Sequence, residues 1–146
     1  MRHVAMVAIV AGLGVAGCAH APMEGLASDK CDGQGKCRVT VSVADCKATP
    51  SVDPLPVTAK NVNISWELNL LSGLSYQFRE KDGVELKMPS AEFAPRSTGS
   101  NKKYMLHDKN SLPGTHQYPY RFNIQKAVIG GYVDCPQMDP TIVNQG

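Results

Sequence analysis

The sequence predicts an all-β fold, a two-sheet Greek-key sandwich, placed after an N-terminal segment of different character. Three observations predict it. From Cys37 onward, apolar residues recur at every second position. Gly, Pro, Asn and Asp break these runs at short intervals, and no ten-residue stretch beyond residue 18 carries a helical period. Seven or eight short strands with regular turns across residues 31–146 suit two packed sheets.

The elements follow in order. Val39, Val41 and Val43 alternate with Arg38, Thr40 and Ser42, the pattern of a half-buried strand. Pro50, Pro54 and Pro56 turn the chain, and Pro56-Val57-Thr58 suits a short edge strand. Asn61 to Leu70 is the clearest strand. It puts Val62, Ile64, Trp66, Leu68 and Leu70 on one face and polar residues on the other. Trp66, the single tryptophan, is expected at the centre of the core. Leu74, Tyr76 and Phe78 alternate next, answered by Val84, Leu86 and Met88 across Asp82-Gly83, a dipeptide suited to a tight hairpin. Pro89 to Asn101 is expected as a polar loop and Lys102 to His107 as a strand. Asp108 to Gly114 is dense in turn residues, and Tyr118, Tyr120, Phe122 and Ile124 form another apolar face. Pro119, on the opposite face, places an edge or a bulge there. Gly130-Gly131 turns the chain, and Pro140 to Asn144 makes a final short strand. The arrangement expected is immunoglobulin-like or cupredoxin-like.

Met1-Arg2-His3 precedes an uncharged apolar run from Val4 to Val15, and small residues lead to Cys18. This is the layout of an export signal, and the run is too short for a transmembrane span of about 20 residues. Val15-Ala16-Gly17-Cys18 resembles the bacterial lipobox. That resemblance implies cleavage before Cys18, acylation of its sulfur and new amine, and the lipid bilayer as partner. Ala19 in the second mature position resembles lipoproteins sent to the outer membrane. A competing site, Ala19-His20-Ala21, would leave Pro22 first, which ordinary signal peptidases tolerate badly. The expected division is therefore a signal peptide over 1–17, a lipidated tether over 18–30 and a β-sandwich domain over 31–146. Twelve residues, Ala19 to Lys30, then reach at most about 40 Å.

Setting Cys18 aside leaves Cys31, Cys37, Cys46 and Cys135, an even number suited to two disulfides in an oxidising compartment. The spacings are Cys-x5-Cys and Cys-x8-Cys rather than the tight Cys-x2-Cys of a zinc knuckle. Cys37 and Cys46 stand at opposite ends of a strand, about 30 Å apart, and cannot pair. Cys31–Cys37 with Cys46–Cys135 is the favoured pairing; Cys31–Cys46 with Cys37–Cys135 is the alternative.

Without Arg2 the chain has 14 basic residues against 13 acidic ones, with no basic stripe for nucleic acid. Pro113-Gly114-Thr115 with Tyr118 and Tyr120 looks like the entry to the copper-binding strand of blue copper proteins. The Cys and His that should follow are missing, and Cys135-Pro136-Gln137-Met138 lacks the intervening His, so no intact type 1 copper site is expected. A looser metal site would use His107 and His116, which flank the Asp108–Thr115 loop and would meet if their strands paired. Gly73-Leu74-Ser75-Tyr76-Gln77 does not complete G-x-S-x-G. Glu67, Glu80 and Glu85 have no sequence pattern of a catalytic pair, and no glycine loop leads into a helix to cradle phosphate.

One resemblance spans most of the domain. Cys31–Cys37, Asn61–Leu68, Asp108–Thr115 and Asp139–Asn144 together resemble a group of small exported bacterial β-sandwich proteins without assigned activity. The resemblance implies fold and location. The Asp108–Gly114 segment fits a structural turn, with Gly114 at positive φ. The expectation is a membrane-anchored envelope lipoprotein carrying a non-catalytic binding or structural module without a cofactor, its loops meeting an envelope protein or glycan. A metal-binding cupredoxin-like protein is the alternative.

Overall fold

A computed structural model describes Cys31 and residues 35–146; the signal, Cys18 and the tether lie outside the described residues. The domain is an all-β sandwich. Its strands are β1 (Lys36–Ala44), β2 (Lys47–Pro50), β3 (Leu55–Val57), β4 (Val62–Leu68), β5 (Tyr76–Phe78), β6 (Val84–Leu86), β7 (Phe93–Arg96), β8 (Lys103–Asp108), β9 (Thr115–Phe122), β10 (Ile124–Val128), β11 (Gly131–Asp134) and β12 (Thr141–Gln145). One short helix, α1 (Leu70–Ser75), joins β4 to β5. The strands form a five-stranded sheet, β2-β1-β4-β8-β7, a four-stranded sheet, β3-β12-β9-β6, and a three-stranded sheet, β11-β10-β5. Because β9 continues into β10 past the single residue Asn123, the two smaller sheets are joined end to end opposite the larger one.

The period-two patterns bury what they should. Cys37, Val39, Val41 and Val43 of β1 and Val62, Ile64 and Trp66 of β4 turn inward. β1 and β4 pair in parallel, Val39 beside Trp66, so these side chains form one continuous apolar face. Each fully buried aliphatic side chain of this kind contributes about 1.5–3 kcal/mol. Across the core, Tyr120 of β9 meets Trp66 with ring centroids 5.3 Å apart, and the indole Nε1–H donates to the Tyr120 hydroxyl at 3.1 Å. Two disulfides, Cys31–Cys37 and Cys46–Cys135, staple the chain at 6 and 89 residues' separation. The longer bond ties the turn after β1 to the end of β11.

Several expectations need correction. The strand expected to run to Leu70 stops at Leu68, and Leu74 lies in α1 rather than in a strand. Asn69 ends the strand by capping the helix, its side-chain oxygen accepting from Ser72 N at 2.7 Å. β5 and β6 do not form a hairpin across Asp82-Gly83: β5 pairs with β10 and β6 with β9. Gly83 is there for close approach. A Cβ on it would sit 2.7 Å from Phe78 Cβ and 2.8 Å from the Tyr104 ring. The loop expected over 89–101 contains β7, which pairs with β8. Pro119 lies inside a sheet, between β12 and β6. Its carbonyl accepts from Lys87 N at 2.9 Å, one residue past the end of β6, so its missing N–H falls where that neighbour leaves the sheet and interrupts no bond of the β6–β9 ladder.

The Trp66–Tyr120 bond has a measurable worth. Tyr120→Phe keeps the ring but leaves the indole N–H buried without a partner, which costs about 1–3 kcal/mol. A urea titration should show a lower midpoint with unchanged slope; an unaltered midpoint would deny the bond any role.

Candidate functional site

The two histidines nominated for a metal do not come together in the manner expected. β8 and β9 lie in different sheets, so no hairpin unites them. His107 Nδ1 donates to Asn63 Oδ1 on the neighbouring strand at 3.1 Å, and His116 Nε2 donates to the Pro113 carbonyl at 3.0 Å. Among the described residues no group of three or more His, Cys, Asp or Glu is placed to hold a metal ion. Two of the three glutamates weighed as catalytic carboxylates, Glu67 and Glu85, are also occupied. Glu67 pairs with Lys103 at 2.6 Å and Arg38 at 3.7 Å. Burial raises its carboxyl, but these cations outweigh burial and hold it below the ordinary value. Glu85 takes two bonds from the Arg121 guanidinium, which holds its carboxyl down as well.

The turn after β8 is built from buried polar groups. Asp108 Oδ1 accepts from Asn110 N at 2.9 Å and from Asn144 Nδ2 of β12 at 3.0 Å, joining the two layers. Asn110, at φ 43°, donates its amide to the carbonyls of Val57 and Ala59. Glu92 accepts from Ser111 N and its hydroxyl, and those bonds hold the Glu92 carboxyl low. Gly114, at φ 88°, exchanges backbone bonds with Gly146. Every one of these contacts is internal, so the segment is a structural node at the end of the sandwich that also holds Cys31–Cys37.

The opposite end has a different chemistry. α1 is turned inside out. The Ser72 hydroxyl accepts from Val43 N at 2.7 Å and Asn69 Nδ2 donates to Ser42 Oγ at 2.8 Å, which fixes the polar side of the helix against β1. Leu70, Leu71 and Leu74 therefore face solvent at 85, 77 and 75% exposure. Beside them the β10–β11 hairpin projects beyond the sandwich. Lys126 pairs with Tyr76 at the start of β5, so the turn beyond Val128 lies at the α1 end. Ile129 at its tip is completely exposed, and Val128, Tyr132 and Val133 are exposed behind it.

A cleft of about 340 Å³ opens alongside, between residues 78–81 and the loop from β7 to β8. Arg79, Lys81, Arg96 and Lys103 line it with one carboxylate, Glu80. Arg79 pairs with Asp82 at 3.2 Å and Lys103 with Glu67, whereas Lys81 and Arg96 are exposed and form no ion pair among the described residues. The cleft lies on the flank of the sandwich below α1: Arg96 pairs with Met105, which faces Ser65 in the middle of β4, and the Lys81 carbonyl accepts from the Tyr104 hydroxyl. None of this was nominated from sequence. Asn69-Leu70-Leu71-Ser72, a capping residue before paired leucines, was the available signal for α1.

Compared with protein families and curated proteins, the chain matches no family model and no curated relative.

Burial raises the Asp108 carboxyl above its ordinary value of 3.8, and the bonds from Asn144 and Asn110 only partly offset that. A carboxyl raised in the folded state costs stability once ionised: nothing below its unfolded value, more as pH rises through it, and in full above its folded value. Asp108→Asn should therefore gain stability relative to the parent between about pH 4 and pH 7. Urea midpoints across that range test this, the Glu92 contribution being common to both proteins; a difference that does not change with pH would refute it.

Proposed function

We propose that the chain is a bacterial envelope lipoprotein, anchored through acylated Cys18, whose β-sandwich is a non-catalytic binding or structural module. The observation that carries the reading is Val15-Ala16-Gly17-Cys18 closing a short apolar run. The two disulfides support it, since such bonds persist in oxidising compartments and suit a domain exported before it folds. Ala19 favours the outer membrane, with the domain facing the periplasm.

The module's working end, in this reading, is the one remote from the anchor. There the exposed leucines and the projecting hairpin, with the cationic cleft on the flank below them, present groups that the fold itself does not use. Binding surfaces on sandwiches are commonly loops gathered at one end of a rigid scaffold. The metal-binding alternative has lost the strand pairing on which it rested.

Cys18→Ser tests the anchor. Metabolic labelling with palmitate should mark the parent protein and not the variant, and fractionation should move the variant out of the membrane pellet. Equal labelling and equal sedimentation of the two would end the lipoprotein reading.

A further inference from the structure

From the chemistry of the end remote from Cys31, we infer that this end docks peripherally on an anionic lipid bilayer, giving the protein a second membrane contact besides its anchor. Leu70, Leu71, Leu74 and Ile129 would enter the boundary between headgroups and acyl chains, and Lys81, Arg96 and Lys126 would lie among the headgroups. The location, in an envelope membrane, rests on the lipoprotein reading.

Three observations point to a bilayer rather than a folded partner. First, the apolar side chains project at 75% exposure or more from two unrelated elements at one end of the molecule, Leu70, Leu71 and Leu74 from α1 and Ile129 from the hairpin tip. A fluid apolar layer closes around both without the shape match that a folded partner would need. Second, cations outnumber acids around these side chains: Lys126 precedes the hairpin tip, Lys47 follows β1, and Lys81 and Arg96 line the cleft on the flank below α1, against Asp45, Glu80 and Asp134. None of these forms an ion pair among the described residues. Apolar side chains flanked by cations are the common composition of interfacial anchors, which sink about 5–10 Å into the headgroup boundary.

Third, chain length permits it. Cys31 is bonded to Cys37 at the start of β1, while α1 packs against Ser42 and Val43 at the end of that strand. The nine residues of β1 span about 30 Å. The twelve residues between Cys18 and Cys31 reach up to about 40 Å. The acyl chains and the apolar end can therefore occupy the same bilayer, with the domain lying over or inverted upon it. Acylation of both the sulfur and the amine of Cys18 already anchors the protein stably, so a second contact of this kind acts by fixing the orientation of the domain on the bilayer.

The test uses the mature protein with a reporter tryptophan, Ile129→Trp in one variant and Lys60→Trp at the tether end in another. Trp66, fully buried, is a constant background. Vesicles are phosphatidylethanolamine with phosphatidylglycerol, carrying brominated acyl chains that quench tryptophan on contact. Ile129→Trp emission should fall about twofold and Lys60→Trp emission should not. Adding Lys81→Glu and Arg96→Glu, or changing to vesicles of phosphatidylcholine alone, should abolish most of the difference. Equal quenching at both positions overturns the proposal, as does quenching that ignores lipid charge. So does a blue-shifted Ile129→Trp emission without vesicles accompanied by a dimer mass in light scattering, since a second copy would then cover the surface. The mass of the purified protein reports acylation of Cys18 separately. Unacylated protein added to the same vesicles still reports docking, so failure of the anchor and failure of the docking surface are told apart.

Discussion

The contact between Trp66 and Tyr120 sets the spacing on which the rest of the sandwich depends. Both rings are fully buried, they belong to opposite layers, and one hydrogen bond settles the only polar hydrogen that the indole brings into the core. Two large aromatic side chains meeting at one point fix the separation of the sheets there, and smaller residues fill the space around them. Phe122 extends the aromatic row to Phe78, so the packing that starts at Trp66 runs on to the short strand β5. With that row in place, β5 needs only three residues to hold its position.

The two ends of the sandwich are finished in opposite ways, and the difference bears on function. At one end Asp108, Asn110, Asn144 and Glu92 join backbone and side-chain groups from four segments in a buried polar node, where Asp108 Oδ2, Asn110 Oδ1 and Asn144 Oδ1 have no hydrogen-bond partner among the described residues. At the other, polar contacts between α1 and β1 are spent on turning leucines outward. A domain under selection for solubility alone has no reason to invert a helix, because each exposed leucine forgoes the burial that stabilises folding. The Cys46–Cys135 bond reinforces the base of the projecting hairpin, which a short two-stranded ribbon with both faces in water needs.

Much of this fold was legible in the sequence, and what was not has identifiable causes. β1, β4 and β9 are half-buried and long enough for alternation to stand out, so Val39, Ile64, Trp66, Tyr120 and Phe122 were assigned to the core correctly. The distance between Cys37 and Cys46 removed one of three disulfide connectivities, and the glycine-containing loop between Cys31 and Cys37 favoured the pairing that the fold shows. α1 was missed because six residues hold fewer than two helical turns, too few for a period to show, and because its leucines continue the apolar count of β4. Asp82-Gly83 misled because glycine serves close packing as readily as it serves a turn, and sequence does not separate the two uses. The histidines were misplaced for a topological reason: the chain between them crosses from one layer to the other. The cationic cleft is assembled from segments some twenty residues apart in sequence, so no local motif marks it.

The position of β12 carries a consequence for the order in which the domain folds. Residues 141–145 do not cover an edge; they lie between β3 and β9, in parallel with the first and antiparallel to the second. Until those residues have emerged, β3 has no neighbour and β9 lacks half its ladder, while Asp108 lacks the donor that Asn144 supplies. The second layer therefore completes only when nearly the whole domain is available, through pairings distant in sequence that form slowly. A growing chain of this design holds its second layer open through most of its synthesis, even where the five-stranded layer has all its strands.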